Sequence, residues 1–329
     1  MISESGATSN VCDPQLQTQV QESLRCQRAF FSTGETRSLS FRRVQLQQLK
    51  ENIKAATKDI YAALAADLGK CKTEAYLSEV ALALGDIDNA LKHLSSWSRS
   101  QRIGIPLAFQ PAAGKLVPEP LGVVLIISPW NYPFHLAIGP LVSAIAAGNC
   151  AIVKPSEISS HTSKLLRQLI EQTFHDDYVT AIEGDAETAK ALLAEPFDHI
   201  FFTGSPAVGK LVMRAAAEHL TPVTLELGGK SPCVVSAHAN LEVAARRIVW
   251  GKAFNAGQTC IAPDYLLVHR SVKAPLMAAI AQTIQDFFGD DMAKSPDYGR
   301  IVSDRHFQRL QALTKAALSS GQKVIGGRC

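Results

Sequence analysis

Residues 121 to 153 read LGVVLIISPWNYPFHLAIGPLVSAIAAGNCAIV, thirty-three positions without an Asp, Glu, Lys or Arg. Length alone would let such a run cross a bilayer. Pro129, Asn131, Pro133 and Pro140 interrupt it, however, and a break facing lipid leaves backbone groups unpaired. The stretch therefore reads as a buried strand over 122–127, a proline-bounded loop, a buried helix around Leu136 to Ala147 and a second buried strand over 150–153.

The same texture continues downstream. CAIV (150–153) precedes a helix around Ser163 to Phe174, VTAI (179–182) leads into AETAKALLAE, HIFF (199–202) into VGKLVMRAAAEHL, and PVTLE (222–226) closes the series. Strands alternating with helices of this length mean parallel βαβ units, with ligands bound beyond the carboxyl ends of the strands. The unusual residues fall at those ends: SPWNYP, KPSE, EGD, TGSPAVG and LGGKSP. Ordinary turn sequences would occur at both edges of the sheet, so their concentration at one edge points to an active-site rim.

Upstream, residues 14 to about 99 are helical in pattern. FRRVQLQQLKENIKAATKDIYAALAADLG places Val44, Leu46, Leu49, Ile53 and Ile60 near one face, with Gly69 as a stop, and a second helix runs from about Thr73 to Trp97. Most of these positions read as scaffold. Residues 102–120 carry four prolines and no helical period, which predicts an extended arm or hairpin. After Ser231 a second α/β pattern begins: CVVS as a strand, Asn240 to Phe254 as a helix, the turn NAGQTC, the strand YLLVH and a helix around Val272 to Phe288. A strand-like run going into a turn, KVIGGRC, closes the chain. The expected division is a cofactor domain over 1–101 and 121–225, an arm over 102–120 and a second domain over 226–329.

Composition agrees with this globular reading. The 329 residues are 47% hydrophobic and 19% charged with a net charge of +3, which excludes a disordered tail and a basic nucleic-acid arm. Seven cysteines without paired spacing suit a reduced, cytoplasmic protein. The N-terminus has no basic segment leading into an apolar one, so no secretory signal is expected.

Five features could carry chemistry. Gly204 to Lys210, GSPAVGK, fits most of a phosphate-binding P-loop, but Leu211 stands where Ser or Thr would hold Mg²⁺ and Pro206 removes a backbone donor. What survives is a helix N-terminus able to face a pyrophosphate, or a purely structural turn. Lys154 and Glu157, flanking Pro155 after a strand, could hold ribose hydroxyls, or form a solvated ion pair; the carboxylate would repel a 2′-phosphate and so favours NAD over NADP. Cys260, in GQTCIAP, sits in polar, small-residue company, unlike Cys150 and Cys233 in their apolar runs, and is the best nucleophile. An ordinary thiol is only about 3% thiolate at pH 7, so the site must supply a field or a base. Glu226, at the end of a buried-type strand, is the candidate base or else a helix cap. Asn131, between Trp130 and Tyr132, is an oxyanion donor or a turn residue.

Together PWNYP (129–133), KPSE (154–157), FTGSPAVG (202–209), ELGGKSP (226–232) and GQTCIAPDY (257–265) resemble, in order, the motifs of the aldehyde dehydrogenase superfamily. The 34-residue step from Glu226 to Cys260 also matches. FRRVQLQQLKENI, APDY and GRIVSDRHFQRL (299–310) are similar to the class 3 branch that oxidises fatty or aromatic aldehydes, and the similarity runs from about residue 22 onward. The resemblance implies a Rossmann-type parallel-sheet cofactor domain, a second α/β catalytic domain and a bridging, oligomerising arm. It implies Cys260 as nucleophile, Asn131 and the Cys260 N–H as oxyanion donors and Glu226 as the base that hydrolyses a thioester. Lys154 and Glu157 would hold the adenosine ribose of NAD, with NADP as the alternative. Trp130 would line that site, and Gly204, Ser205 and Gly209 would face the pyrophosphate. No metal is implied. The substrate would be a hydrophobic aldehyde, medium- or long-chain aliphatic or aromatic, and the full-length partner a second copy in a homodimer.

One motif departs from the family. Its later Glu-x-Phe-Gly-Pro segment does not occur, and 69 residues follow Cys260, so a catalytic domain cut short is expected. An active oxidoreductase and a non-catalytic, nucleotide-binding or subunit-interacting form both remain open at this point.

Overall fold

A computed structural model describes residues 13–321; the KVIGGRC run and Cys12 and Cys329 lie outside them. The chain opens with helices α1 (Pro14–Ser32), α2 (Leu39–Ala55) and α3 (Thr57–Leu68). Asp13 and Ser38 cap the first two by accepting from Gln15 N and Phe41 N. The single helix expected from Phe41 to Gly69 is broken at Ala56, where the Thr57 hydroxyl donates back to the Ile53 carbonyl at 3.0 Å and competes with the helical ladder. Leu46, Leu49, Ile53 and Ile60 are fully buried as the periodicity predicts, each worth roughly 1.5–3 kcal/mol of burial. Val44 is 54% exposed, since a two-residue offset from Leu46 turns it off that face.

The second predicted helix is composite: α4 (Lys72–Ala75), one wide π-turn (Tyr76–Val80) and α5 (Ala81–Trp97). Residues 102–120 form a hairpin in which β1 (Gln101–Ile103) pairs antiparallel with β2 (Gly114–Leu116).

The sheet is then assembled from β3 (Val123–Ile127), α6 (His135–Ala147), β4 (Cys150–Lys154), α7 (Ser160–Thr173), β5 (Val179–Ala181), α8 (Ala186–Leu193), β6 (His199–Gly204), α9 (Pro206–Glu218) and β7 (Val223–Leu227). All pairings are parallel, in the order β5-β4-β3-β6-β7. This is a doubly wound order whose direction of winding reverses between β3 and β6, opening a crevice at their carboxyl ends. Every residue of β3 and β4 is buried, because helices cover both faces. One hydrophobic core joins this sheet to the N-terminal helices.

A smaller core of Val235, Ala245, Ile248 and Leu276 follows. It is built from β8 (Ser231–Val235), α10 (Leu241–Ala253), β9 (Pro263–Val268), parallel to β8, and α11 (Lys273–Phe288); α12 (Asp304–Ser319) comes last among the described residues. Helices cover one face of the β8–β9 pair. Val234 and Leu267 on the other are 73% and 53% exposed, and Cys233 is only half-buried despite its apolar run. Among the described residues, no helix is long and apolar enough to cross a membrane.

Candidate active site

The crevice between β3 and β6 opens into a cavity of about 730 Å³ that also takes in the end of β7 and the turn before β9. Trp130, Asn131, Gly204, Ser205, Glu226 and Cys260 all line it. They come from four separate segments, up to 130 residues apart in the chain. Lys154, Glu157 and Gly209 are not among its lining residues.

Cys260 is exposed in the turn that enters β9. Its approach is unusual: Asn255, Ala256 and Gly257 are consecutively left-handed, at φ 53, 51 and 77°. Each non-glycine residue costs roughly 1–2 kcal/mol in that region, so the turn has to be held by its surroundings. Glu74 accepts from the Asn255 N–H at 2.6 Å. The Asn255 side chain donates to the carbonyls of Asn131 (2.8 Å) and Gln258 (3.2 Å). Gln258 is fixed in turn by donating to the Arg300 carbonyl and accepting from Val302 N. Burial pushes the Glu74 carboxyl above the usual carboxylate range, partly offset by Lys70 and the Asn255 N–H.

Asn131 donates its Nδ2 to the Gln258 carbonyl at 2.9 Å, two residues before Cys260. An amide nitrogen carries two protons, so one fixes the side chain and the second remains for the cavity. The neighbouring Tyr132 hydroxyl bonds Thr259 Oγ1, and burial raises that phenol to about 12, keeping it neutral. Both sides of the cavity floor are thus laced together beside the thiol.

The lacing reaches further into a region the sequence marked as scaffold. Lys70 and Glu79 form an ion pair with both side chains fully buried. Lys70 Nζ also donates to the Asn131 carbonyl at 3.1 Å and lies 4.1 Å from the centre of the Tyr132 ring. The second oxygen of Glu79 accepts from Phe134 N (3.1 Å) and His135 N (2.8 Å), capping the N-terminus of α6. A signal for Glu79 was present in the sequence. Ala75, Ala83, Ile87, Ala90 and Leu94 make one buried stripe, and Glu79 is a carboxylate within it, presented by the π-turn.

Glu226 stands at the end of β7, opposite Thr203 in the register with β6. β7 is an edge strand with half-buried residues, and Glu226 is exposed, so the buried strand predicted here is corrected to an accessible one.

At the next turn Ser205 caps α9 by accepting from Val208 N, and Pro206 occupies the first helical position. Gly209 lies beneath this turn, where an added Cβ would come within 3.0 Å of Leu227 Cδ2. Its lack of a side chain lets α9 approach the sheet. At the end of β4, Lys154 is nearly fully buried and donates to Glu157 at 2.9 Å and to the Pro155 carbonyl at 3.2 Å. The pair is therefore buried at its lysine end, while Glu157 stays exposed, so it is only in part the solvated ion pair weighed from sequence.

Two further lining residues escaped the sequence reading. α12 brings His306 against Trp130, with ring centres 4.9 Å apart, and carries Arg309 one turn on. Burial, aided by Arg309 and Arg305, lowers the His306 pKa. Both lie in GRIVSDRHFQRL (299–310), which the sequence marked only by its resemblance and without a role for either residue, because only folding brings α12 to the β3 loop. From the thiol the cavity continues between α5 and α6, past His135, Gly139 and Ser143, to Trp97. Among the described residues no group of three or more His, Cys, Asp or Glu gathers in a way that could hold a metal ion.

Known proteins share this architecture. A sequence model described as the aldehyde dehydrogenase family matches residues 9–329. The 4,4'-diaponeurosporen-aldehyde dehydrogenase of Staphylococcus aureus is 49% identical over 290 residues, which are 88% of this chain and 63% of that protein. The dimeric, NADP-preferring aldehyde dehydrogenase of Rattus norvegicus is 47% identical over 94% of this chain and 67% of its own length. Among solved structures, the substrate-bound state of Staphylococcus aureus AldH superposes with a TM-score of 0.91 at 46% identity, over 94% of this chain and 67% of that one. The NAD-dependent aldehyde dehydrogenase of Sinorhizobium meliloti gives 0.85 at 28% identity, over 95% and 63%. The chain thus spans about two thirds of the length of the relatives it matches.

Proposed function

The chain belongs to the aldehyde dehydrogenase family, and from that premise we propose that its site oxidises an aldehyde to a carboxylic acid through a thioester on Cys260, with NAD(P) as oxidant. The observation that carries this is the convergence of Cys260, Asn131 and Glu226, from three separate elements, on one cavity.

The Cys260 thiolate attacks the aldehyde carbon, and the carbonyl oxygen becomes an oxyanion. The free N–H of Asn131, with the Cys260 backbone N–H, stabilises that charge, a contact worth roughly 3–4 kcal/mol. When bound, the nicotinamide would accept hydride from the resulting thiohemiacetal carbon, leaving the thioester. Glu226 then takes a proton from water as it attacks, and Cys260 leaves as thiolate. A thioester passed to a thiol such as coenzyme A would need no such base, so Glu226 favours water as the acyl acceptor.

The residues fit a dinucleotide. The crevice lies at the reversal of the doubly wound sheet, Ser205 opens α9 beside it, and Arg309 adds a cation to the same lining. Gly204, Ser205 and the start of α9 would face the pyrophosphate, with Gly209 permitting the close approach of α9. Lys154 and Glu157 would hold the adenosine ribose, and Trp130 would line the cofactor site. The carboxylate favours NAD over NADP, although three relatives, from Rattus norvegicus, Mus musculus and Canis lupus familiaris, are named NADP-preferring.

The groove between α5 and α6 extends the cavity away from the thiol and suits an aldehyde with a long or aromatic apolar tail. Relatives named for a specific aldehyde exist, such as the 4,4'-diaponeurosporen-aldehyde dehydrogenase of Staphylococcus aureus. The exposed β1–β2 hairpin is read as an arm through which two copies pair in a homodimer. Free thiols at Cys26, Cys71, Cys150, Cys233 and Cys260 suit the reducing cytoplasm.

The test is aldehyde-dependent NADH formation across aliphatic and aromatic aldehydes, comparing the chain with its Cys260→Ala variant. Loss of turnover in the variant is expected; undiminished turnover would sink the mechanism.

A further inference from the structure

Two buried donors from distant parts of the chain meet on one backbone carbonyl, that of Asn131. Lys70 Nζ approaches it at 3.1 Å and Asn255 Nδ2 at 2.8 Å. Lys70 is 2% exposed and Asn255 0%. Asn255 Nδ2 also donates to the Gln258 carbonyl, which accepts the Asn131 side chain as well. The result is a closed ring: Asn131 carbonyl, Asn255 amide, Gln258 carbonyl, Asn131 amide. The ring fixes both ends of the Asn131 residue relative to the turn that carries Cys260. Glu79 anchors the Lys70 end and simultaneously holds the N–H groups of Phe134 and His135, so the whole 131–135 segment is tied to one ion pair.

We propose that Lys70 and Asn255 are positioning residues, which hold the Asn131 amide where the oxyanion forms. This rests on the reading of Asn131 as oxyanion donor. A charged donor on the Asn131 carbonyl is more than packing: it restrains the peptide plane from which the side chain departs, and a misplacement of about 1 Å at an oxyanion donor already costs on the order of a hundredfold in rate. Neither residue touches the substrate, since the chain of contact runs through Asn131.

Two reactions of the Cys260 thiol separate this role from general support, and neither needs an oxidant. With p-nitrophenyl acetate the thiolate forms a C–S bond, the ester C–O bond breaks and p-nitrophenolate leaves, passing through a tetrahedral oxyanion. With iodoacetamide the thiolate displaces iodide and no oxyanion arises. The variants are K70M/E79Q, which removes both ends of the buried pair together, and Asn255→Gly, which relaxes a residue held at φ 53°. Each is compared with the parent chain and with Asn131→Ala in rates of p-nitrophenolate release and of Cys260 alkylation.

The expected result is a fall of about tenfold or more in the acylation rate of both variants, with alkylation within about twofold of the parent. An unchanged ratio in both variants, with a lowered ratio in Asn131→Ala, overturns the positioning role. An unchanged ratio in Asn131→Ala as well overturns the oxyanion reading beneath it. A lowered ratio in Asn255→Gly alone removes Lys70 from the proposal. Equal loss of both reactions marks a purely structural role and overturns it.

Discussion

Asn131 and Gln258, 127 residues apart, are joined by a 2.9 Å hydrogen bond from side-chain amide to backbone carbonyl. Through it the loop that follows the first strand of the parallel sheet and the turn that carries Cys260 become one rigid floor. The amide is therefore oriented before any substrate arrives, and preorganisation of this kind is the largest single contribution in many acyl-transfer sites.

Thiol chemistry should discriminate sharply between cysteines of the same chain. Cys260 is exposed, whereas burial raises the Cys150 thiol to about 12. Brief treatment with iodoacetamide near neutral pH should label Cys260 and leave Cys150 unmodified, as read by peptide mass spectrometry. Labelling of Cys150 at a comparable rate in folded protein would contradict the buried placement.

Glu226→Gln should uncouple the two halves of the reaction. On the proposed mechanism acylation of Cys260 does not need Glu226, so the first burst of p-nitrophenolate from an activated ester should persist. Steady-state hydrolysis should fall by roughly 10²–10⁴-fold. Stopped-flow absorbance separates the two phases, and a fall in burst and steady state alike would assign Glu226 to the attack step.

The His306 imidazole titrates below its ordinary 6.5, because of burial and then Arg309 and Arg305. The unfolded chain therefore takes up this proton first. The stability that His306 contributes as a neutral ring is complete above about 6.5 and is lost as the pH falls through its folded pKa. Arg309→Ala removes one repelling cation and should move the NMR titration midpoint of His306 upward. A midpoint at or above the ordinary value in the parent chain would refute the packing against Trp130.

The Lys70–Glu79 pair should be far more sensitive to single than to double replacement. Lys70→Met leaves a carboxylate unpaired in a dry site and should cost about 3–5 kcal/mol, as measured by denaturant unfolding. K70M/E79Q should recover most of that loss. Similar destabilisation by single and double variants would mean that the pair is not buried as a unit.

Local pattern determined much of this protein. Charge-free runs, strand and helix periods and the clustering of SPWNYP, KPSE and TGSPAVG at strand ends made the parallel sheet legible, because each depends on residues within a few turns of one another. The same locality singled out Cys260, Asn131 and Glu226, and the structure brings those three to one cavity. Other features depend on which segments meet in space. Ala56 breaks a helix that its sequence does not visibly interrupt. β7 proves to be an edge strand, so Glu226 is open to solvent. His306 and Arg309 reach the site only through the docking of α12. Lys70 and Glu79 fell in the region read as scaffold, yet both side chains sit dry beneath the loop that carries Asn131. Sequence period fixes the face a residue shares with its neighbours. Only tertiary packing decides what lies against that face, and hence whether a charge there is solvated or made part of the site.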